Sequence, residues 1–150
     1  MSDLSRNDDA FHRYTILEDY DAGIVLTGAE TKSAKLKRIS LRGSYVTMLG
    51  SEAFLTGATI SRYPKSDPAL PYDPERRRKL LLKKSELNGL IGKVGSAGLT
   101  LVPLRMYQKG GLIKLVIGLA RGKKKYDRRQ EIKKREVTRD VQRALRQKVR

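Results

Sequence analysis

Few side chains in this sequence are of the kinds that carry out covalent chemistry. His12 is the only histidine in 150 residues and there is no cysteine, which excludes a thiolate nucleophile, a disulfide and a thiolate metal site. No Ser, His and Asp have the spacing of a catalytic triad, and the carboxylates are scattered without the spacing of metal ligands. We therefore expect no enzyme, no cofactor and no bound metal.

The chemistry that remains is the binding of anions. Residues 89–95 are rich in glycine but lack the Gly-Lys-Ser/Thr ending of a phosphate-binding loop. The formal net charge is +17, and residues 121–150 hold fourteen Lys and Arg against four acids, a net charge of +10. Further basic clusters lie at residues 32–38 and 76–84. A cationic tail joined to a basic core indicates a polyanionic partner.

Two polyanions compete for that role, an anionic membrane and a nucleic acid. Apolar residues recur every four positions in the tail, as in a helix that lies on a membrane, at Val137, Val141, Leu145 and Val149. That stripe contains no Trp, Phe or Met, and it leaves the basic clusters of the core unexplained. Since RNA accounts for both the core and the tail, we expect an RNA-binding protein without membrane association, located in the cytoplasm.

Alternation and turn residues predict a mainly β fold of about six strands, with two or three helices. The predicted strands are 14–20 and 24–26, joined by a turn at 21–23, then 44–48, 53–60, 99–107 and 112–120. Pro103 indicates an edge or a bulge, and Gly110-Gly111 a hairpin turn. Helices are predicted at 29–38, from Asp73-Pro74 to residue 84, and from Ser85 to about Gly95 or Gly98, with a loop at 61–72.

In so short a chain, strands that are connected as hairpins favour a small closed antiparallel β-barrel similar to an OB-fold. We therefore predict a barrel at residues 1–120, with a frayed N-terminus around Asp8-Asp9, and a basic tail at 121–150. The density of like charge predicts that the tail is disordered in the free protein and becomes helical only on a partner. Leu80, Leu81 and Leu82 would span about 200° of the second helix, so that helix must be contacted on more than one side.

Eight stretches, in order along nearly the whole chain, resemble the SmpB family. This family, small protein B, binds transfer-messenger RNA (SsrA RNA) in the rescue of stalled ribosomes. The stretches are AFHRY (10–14), DAG (21–23), GAETKS (28–33), GSYV (43–46), DPERRRKLLL (73–82), GLTLVPL (98–104), GLARGKKKYDRR (118–129) and IKKRE (132–136). Each stretch alone is a weak signal, but eight in register are specific.

The resemblance implies an OB-like barrel that grips the tRNA-like domain of transfer-messenger RNA and delivers it to stalled ribosomes. It also implies that the tail occupies the decoding centre and the mRNA channel of the small subunit. The expected partners are therefore that RNA and the ribosome, with elongation factor Tu on the aminoacylated RNA, and the protein is expected to be a monomer. The runner-up is a general RNA-binding or ribosome-associated protein of the same fold.

The predicted site residues fall into two groups. RNA-binding residues are predicted at Asp21, Glu30, Lys32, Ser33, Arg78, Lys79, Leu81, Lys83, Arg121, Lys123 and Lys124. Residues of the decoding centre and tail are predicted at Tyr126, Asp127, Arg128, Arg129, Ile132, Lys133, Lys134 and Arg135, with Tyr126 stacking on a ribosomal base.

Some positions depart from the family pattern, and others have a simpler interpretation. Asp8-Asp9 replaces a pair that is usually basic, Lys83 stands where His or Asn is common, and Ser85 where Arg is common. Asp21 could be only a turn residue, Glu30 only a helix-start residue, and two of the three leucines only core. These alternatives stay open at the level of sequence.

Overall fold

An antiparallel sheet of seven strands forms the body of the protein. The computed structural model describes residues 3–94 and 96–123, the side chain of Ala97 excepted. Its strands and helices are β1 (Asp3–Arg6), α1 (Asp8–Arg13), β2 (Tyr14–Ile24), α2 (Gly28–Lys35), β3 (Ile39–Ser40), β4 (Tyr45–Leu49), β5 (Glu52–Thr56), β6 (Thr59–Ile60), β7 (Arg78–Leu81), α3 (Lys84–Lys93), β8 (Leu99–Lys109) and β9 (Leu112–Gly122). The order across the sheet is β1-β8-β9-β2-β7-β5-β4, and β3 pairs with β6 separately.

The prediction of a mainly β fold with two or three helices is confirmed, but the prediction of a closed barrel is wrong for the described residues. The hydrogen-bonded sheet ends at β1 and β4, which are not paired with each other. β4 comes close to β8, yet β1 occupies part of the free edge of β8, from Arg105 to Tyr107. That edge is therefore not available for a continuous ladder with β4. The likeness to an OB-fold stays a prediction.

The turn predicted at residues 21–23 is also wrong, because β2 runs straight through it. Asp21, Ala22 and Gly23 pair in register with Val116, Leu115 and Lys114 of β9. The ladder with β9, a neighbouring strand of eleven residues, holds this segment extended and overrides the local turn preference of Asp and Gly.

The helix predicted after Asp73-Pro74 is a strand instead. Asp73 accepts a hydrogen bond from the Glu75 N–H at 3.0 Å, so the capping signal produces a single turn and no helix. β7 then pairs between β2 and β5, with Leu80 opposite both Ile24 and Ala53. Alternation in a strand gives consecutive leucines opposite environments: Leu80 is buried and Leu81 is exposed.

Several local predictions are confirmed. β4 and β5 form the predicted hairpin, β8 and β9 form another around Gly110, and a bulge follows Pro103. α2 is present, and α3 begins at Lys84, one residue before the predicted cap at Ser85. The carboxylate of Glu86 accepts from the Lys83 N–H at 3.3 Å, so Lys83 and not Ser85 is the cap position.

The core has two parts, one on each face of the sheet. The larger part lies on the inner face and contains Ala22, Leu80 and Leu115 from the three central strands. The smaller part lies on the outer face under α1, where Ala10 packs with Val116, Tyr107 and Ala120. The predicted fraying near Asp8-Asp9 is therefore wrong, because these residues begin α1, which covers an apolar patch that the sequence did not reveal.

The predicted boundary at residue 120 falls inside β9, which continues to Gly122. Lys123 is still tied to the body, because its N–H donates to the Arg13 carbonyl at 2.8 Å. The predicted tail from Lys124 onwards lies outside the described residues. Within them, no helix has both the length and the apolar character that crossing a membrane requires.

Candidate nucleic-acid interface

The register of the three central strands brings polar residues together on the outer face. Gly23 of β2 lies opposite Leu81 of β7 on one side and Lys114 of β9 on the other. Asp21 and Lys79 each precede this pair by two residues, so they share its face and, because the strands are antiparallel, lie on opposite sides of it. We call this set the outer strip: Asp21, Gly23, Lys79, Leu81 and Lys114. It contains three of the predicted RNA-binding residues.

Gly23 is the residue that allows close packing in the outer strip. A Cβ atom at this position would lie 3.2 Å from the Cβ of Leu81, which is tighter than ordinary van der Waals contact. Leu81 keeps 53% of its surface exposed although Leu80 beside it is 2% exposed. The glycine predicted as a turn residue therefore lets an exposed leucine pack across β2.

Asp21 is an exposed carboxylate whose position is held from below. The hydroxyl of Tyr107, a buried side chain, donates a hydrogen bond to its Oδ1 atom at 2.9 Å. Burial raises the pKa of Tyr107, and the hydrogen bond to Asp21 raises it further, so the phenol remains a donor. Asp21 is thus a fixed acceptor on an otherwise basic strip.

Glu30 is placed very differently, in the interior between α2 and β7. Its Oε2 atom lies 2.7 Å from Nη2 of Arg78, and both side chains are at most 1% exposed. Arg78 also donates to the carbonyls of Ala58 and Pro74, each at 3.0 Å. The other oxygen of Glu30 pairs with Arg76 and accepts from the Thr27 N–H, which completes the N-terminal cap of α2. We call the buried pair Glu30 and Arg78, together with the partly exposed Arg76, the buried charge cluster.

The electrostatics of Glu30 follow from this cluster. Burial alone would raise the pKa of its carboxyl group, but hydrogen bonds from Arg76, Thr27 and Arg78 outweigh that effect. The pKa falls from 4.5 to about 2, so Glu30 is ionised at neutral pH. The Glu30 carboxylate thereby links three parts of the fold: α2, the loop that follows β6, and the strand β7.

The predicted residues of α2 divide between inside and outside. Ser33 is buried, and its hydroxyl donates to the Ser61 carbonyl. Lys32 is exposed, with its ammonium group 5.6 Å from the centre of the Tyr63 ring. Among the predicted residues of α2, only Lys32 therefore offers a side chain to a large partner.

The remaining described candidates are not members of the outer strip, although Lys83 follows its member Leu81 by two residues. Lys83 is exposed at the start of α3. Arg121 is exposed near the far end of β9, seven residues or about 23 Å along the strand from Lys114. Lys123 is partly buried, and its ammonium group donates to the Phe11 carbonyl at 3.2 Å. Lys124 and the eight predicted decoding-centre and tail residues lie outside the described residues.

Sequence reasoning missed Lys114, which the register places beside Asp21 and Leu81. The signal was present but weak: Leu112, Lys114 and Val116 alternate with the core residues Ile113, Leu115 and Ile117. Reading the segment as one apolar run hid that alternation. No group of three or more potential metal ligands occurs in the parts of the chain that the structure describes.

Taken together, these features define a class: a small, mainly β protein with a basic outer sheet face and a net charge of +17. The model of the family described as SmpB protein matches residues 4–147. The chain therefore belongs to the SmpB family.

Relatives and a solved structure agree with this assignment. The SsrA-binding protein of Rubrobacter xylanophilus is 46% identical over 150 residues, covering 100% of this chain and 99% of the relative. That of Gloeothece citriformis is 48% identical over 142 residues, covering 95% and 92%. A chain of the structure called "tmRNA-SmpB: a journey to the center of the bacterial ribosome" superposes with a TM-score of 0.66 at 46% identity, covering 88% of this chain and 92% of that one.

Proposed function

We propose that the protein binds the tRNA-like domain of transfer-messenger RNA and delivers it to stalled ribosomes for trans-translation. The membership in the SmpB family and the names of the relatives support the partner. The observation that carries the proposal is the outer strip, where Asp21, Lys79, Leu81 and Lys114 meet on one exposed face. Acting on ribosomes, the protein would work in the cytoplasm as a binding protein and not as an enzyme.

Each residue of the outer strip has a distinct part in this proposal. Lys79 and Lys114 contact phosphates, as do Lys32 and Lys83 at the margin. Asp21 accepts hydrogen bonds from a ribose hydroxyl or a base, because a carboxylate held by Tyr107 is a poor neighbour for phosphate but a good acceptor. Leu81 supplies an exposed apolar contact to a base or a ribose.

Glu30, Ser33 and Arg78 contribute to RNA binding indirectly in this proposal. Their side chains are buried and their polar atoms are engaged inside the protein. They fix α2, which carries Lys32, against the strand that carries Lys79 and Leu81. Loss of RNA binding in variants of these three residues would then follow from displacement of the surface residues.

In this proposal the tail has a second role, in the decoding centre and mRNA channel of the ribosome. This role rests on the family resemblance. Arg121, Lys123 and Lys124 lead from β9 to Tyr126, which stacks on a base of the decoding centre, with Asp127 beside it and Arg128 and Arg129 on phosphates. Residues Ile132, Lys133, Lys134 and Arg135 anchor a helix that forms only in the mRNA channel. Elongation factor Tu joins the complex on the aminoacylated RNA, and the protein acts as a monomer.

A competition experiment tests the RNA partner. Full-length protein is titrated with labelled transfer-messenger RNA at physiological salt, in the presence of an excess of bulk tRNA. We expect binding to survive the competitor, because specific contacts add about a thousandfold or more to non-specific affinity. A general RNA-binding protein, the alternative function, would lose the labelled RNA to the competitor.

A proline in the tail tests the second role. We expect Val141→Pro to leave the affinity for transfer-messenger RNA and the stability of the free protein unchanged, but to abolish tagging of stalled chains, since proline breaks a helix interior at a cost of about 3 kcal/mol. The measurement is the tagging rate in a reconstituted translation system. Val141→Ala is the matched control, and normal tagging by the proline variant would refute the helical tail.

A further inference from the structure

We propose that the outer face of the β4–β5 hairpin is a second contact surface for the transfer-messenger RNA, which holds an unpaired nucleobase by stacking on Phe54. We call this surface the hairpin platform: Tyr45, Thr47, Phe54, Thr56 and Arg77. The inference rests on the proposed function and adds to it a base-stacking site.

The ladder shows that Phe54 faces outwards. Its neighbours Ala53 and Leu55 are 0% and 1% exposed and belong to the inner core. Alternation therefore directs Phe54 to the opposite face of the sheet. There it lies opposite Thr47 of β4 on one side and Lys79 of β7 on the other.

The hairpin platform combines an aromatic ring with an exposed cation. The guanidinium carbon of Arg77 lies 5.8 Å from the centre of the Phe54 ring. An exposed cation–π contact is worth little, so an incoming base can displace Arg77 and take its place on the ring. The released guanidinium group can then stack on the other side of the base or pair with a phosphate.

The rest of the hairpin platform suits a nucleotide. Tyr45 is 51% exposed and lies opposite Thr56, whose hydroxyl is 2.9 Å from that of Thr47. Aromatic and hydroxyl groups on a basic antiparallel sheet are what single-stranded RNA contacts in sheet-based RNA-binding folds. Phe54 itself is partly buried, and its exposed neighbours on this face are Tyr45, Arg77 and Lys79.

The hairpin platform is continuous with the outer strip. Lys79 is a member of the outer strip and is directly paired with Phe54, and β5, β7 and β2 are consecutive in the sheet. Adjacent strands are about 4.8 Å apart, so an RNA lying on Leu81 reaches Phe54 within about 10 Å. This continuity is the reason to assign the stacked base to the same RNA.

Phe11 provides a matched comparison elsewhere on the molecule. Like Phe54, it has an arginine near its ring, Arg6 at 5.0 Å, but at 39% exposure it is more accessible than the partly buried Phe54. It belongs to α1, which packs at the Tyr14 end of β2, about 30 Å along the strand from Gly23. Phe11 therefore lies towards the opposite end of β2 from Phe54 and Leu81, although Tyr45 of the hairpin platform lines a pocket with Asp9, Ala10 and Arg13 of α1.

The test uses a fluorescent side chain at Phe54. The chain contains no tryptophan, so Phe54→Trp places a single indole in the full-length protein. We expect its emission to be quenched on titration with transfer-messenger RNA, and more strongly than that of Phe11→Trp at the same saturation. No quenching of Phe54→Trp in a saturated complex overturns the proposal, and so does equal quenching of both variants.

Affinity provides a second measurement. Phe54→Leu keeps an apolar side chain but removes the ring, and we expect a loss of affinity of about five- to thirtyfold. Stacking releases no counterions, so the salt dependence of binding stays as in the wild type. Phe54→Tyr restores the affinity, and Phe11→Leu remains within about twofold. Wild-type affinity of Phe54→Leu overturns the proposal.

The failure of this inference is distinguishable from failure of the proposed function. If the wild type does not prefer transfer-messenger RNA to bulk tRNA, the proposed function is wrong, and the stacking site proposed for that RNA is then wrong as well. If the preference is present but Phe54→Trp and Phe54→Leu respond as the corresponding Phe11 variants do, only the stacking site is wrong. Quenching that appears only when ribosomes are added assigns the base to ribosomal RNA and overturns the assignment made here.

Discussion

Arg78 and Lys79 are neighbours in the sequence and have opposite roles. Arg78 belongs to the buried charge cluster, is 0% exposed and is fully engaged with Glu30 and two carbonyls. Lys79 belongs to the outer strip, and its side chain is 45% exposed with a long 3.5 Å ion pair to Glu52. The comparison shows that a run of basic residues is not one RNA-binding patch, because strand alternation assigns every second cation to the interior.

The largest expected difference between the two regions is in stability. Arg78→Ala leaves a cavity and removes the partner of a buried carboxylate, so we expect the free energy of unfolding to fall by about 3–5 kcal/mol. Lys79→Ala, the matched control, should change it by less than about 0.5 kcal/mol. Urea unfolding at neutral pH measures both, and similar values for the two variants would contradict the comparison.

The contribution of the buried charge cluster to stability should depend on pH. The pKa of Glu30 is lowered from 4.5 to about 2 in the folded protein, so its ionised form stabilises the fold above pH 4.5 and that contribution is lost as the pH falls towards 2. The full contribution of ionised Glu30 to the free energy of unfolding is at most about 3 kcal/mol. We expect the stability difference between wild type and Glu30→Gln to shrink over that range. A difference that is constant with pH would show that Glu30 does not titrate in this way.

The outer strip should dominate the salt dependence of RNA binding. We expect Lys79→Ala and Lys114→Ala each to weaken binding about three- to tenfold and to reduce the slope of log affinity against log salt by about one. Asp21→Asn keeps an acceptor for Tyr107 but loses the charge, and it should weaken binding without changing the slope. Filter binding across a salt series separates these outcomes; an unchanged slope for Lys114→Ala would remove it from the interface.

The smallest expected effect concerns the packing of Leu81. Gly23→Ala places a methyl group 3.2 Å from the Leu81 Cβ, which must shift by a few tenths of an ångström. We expect stability to change by less than about 1 kcal/mol and RNA affinity to fall about threefold. Gly111→Ala, at a site with open space around it, is the control. Equal affinities for the two variants would show that the position of Leu81 is not critical.

Much of the secondary structure was predictable because its signals are local. The hairpins β4–β5 and β8–β9, the bulge after Pro103 and the helix α2 follow from turn residues, alternation and a capping box. The strand β7 was not predictable from Asp73-Pro74, since a capping signal acts on a few residues while pairing with β2 and β5 acts on the whole segment. Three consecutive leucines would span about 200° of a helix, and this mismatch with a single apolar face indicated that the segment is not a helix.

The charge, the mainly β class and the family follow from composition, alternation and motif order, which need no three-dimensional context. Which charged residues reach the surface depends on how the strands and helices pack. Glu30 and Arg78 are 48 positions apart and compensate each other's burial, whereas Asp21, Lys79 and Lys114 meet only through the register of three strands. Register and burial depend on contacts between residues that are distant in sequence. They therefore cannot be derived from the order of residues along the chain.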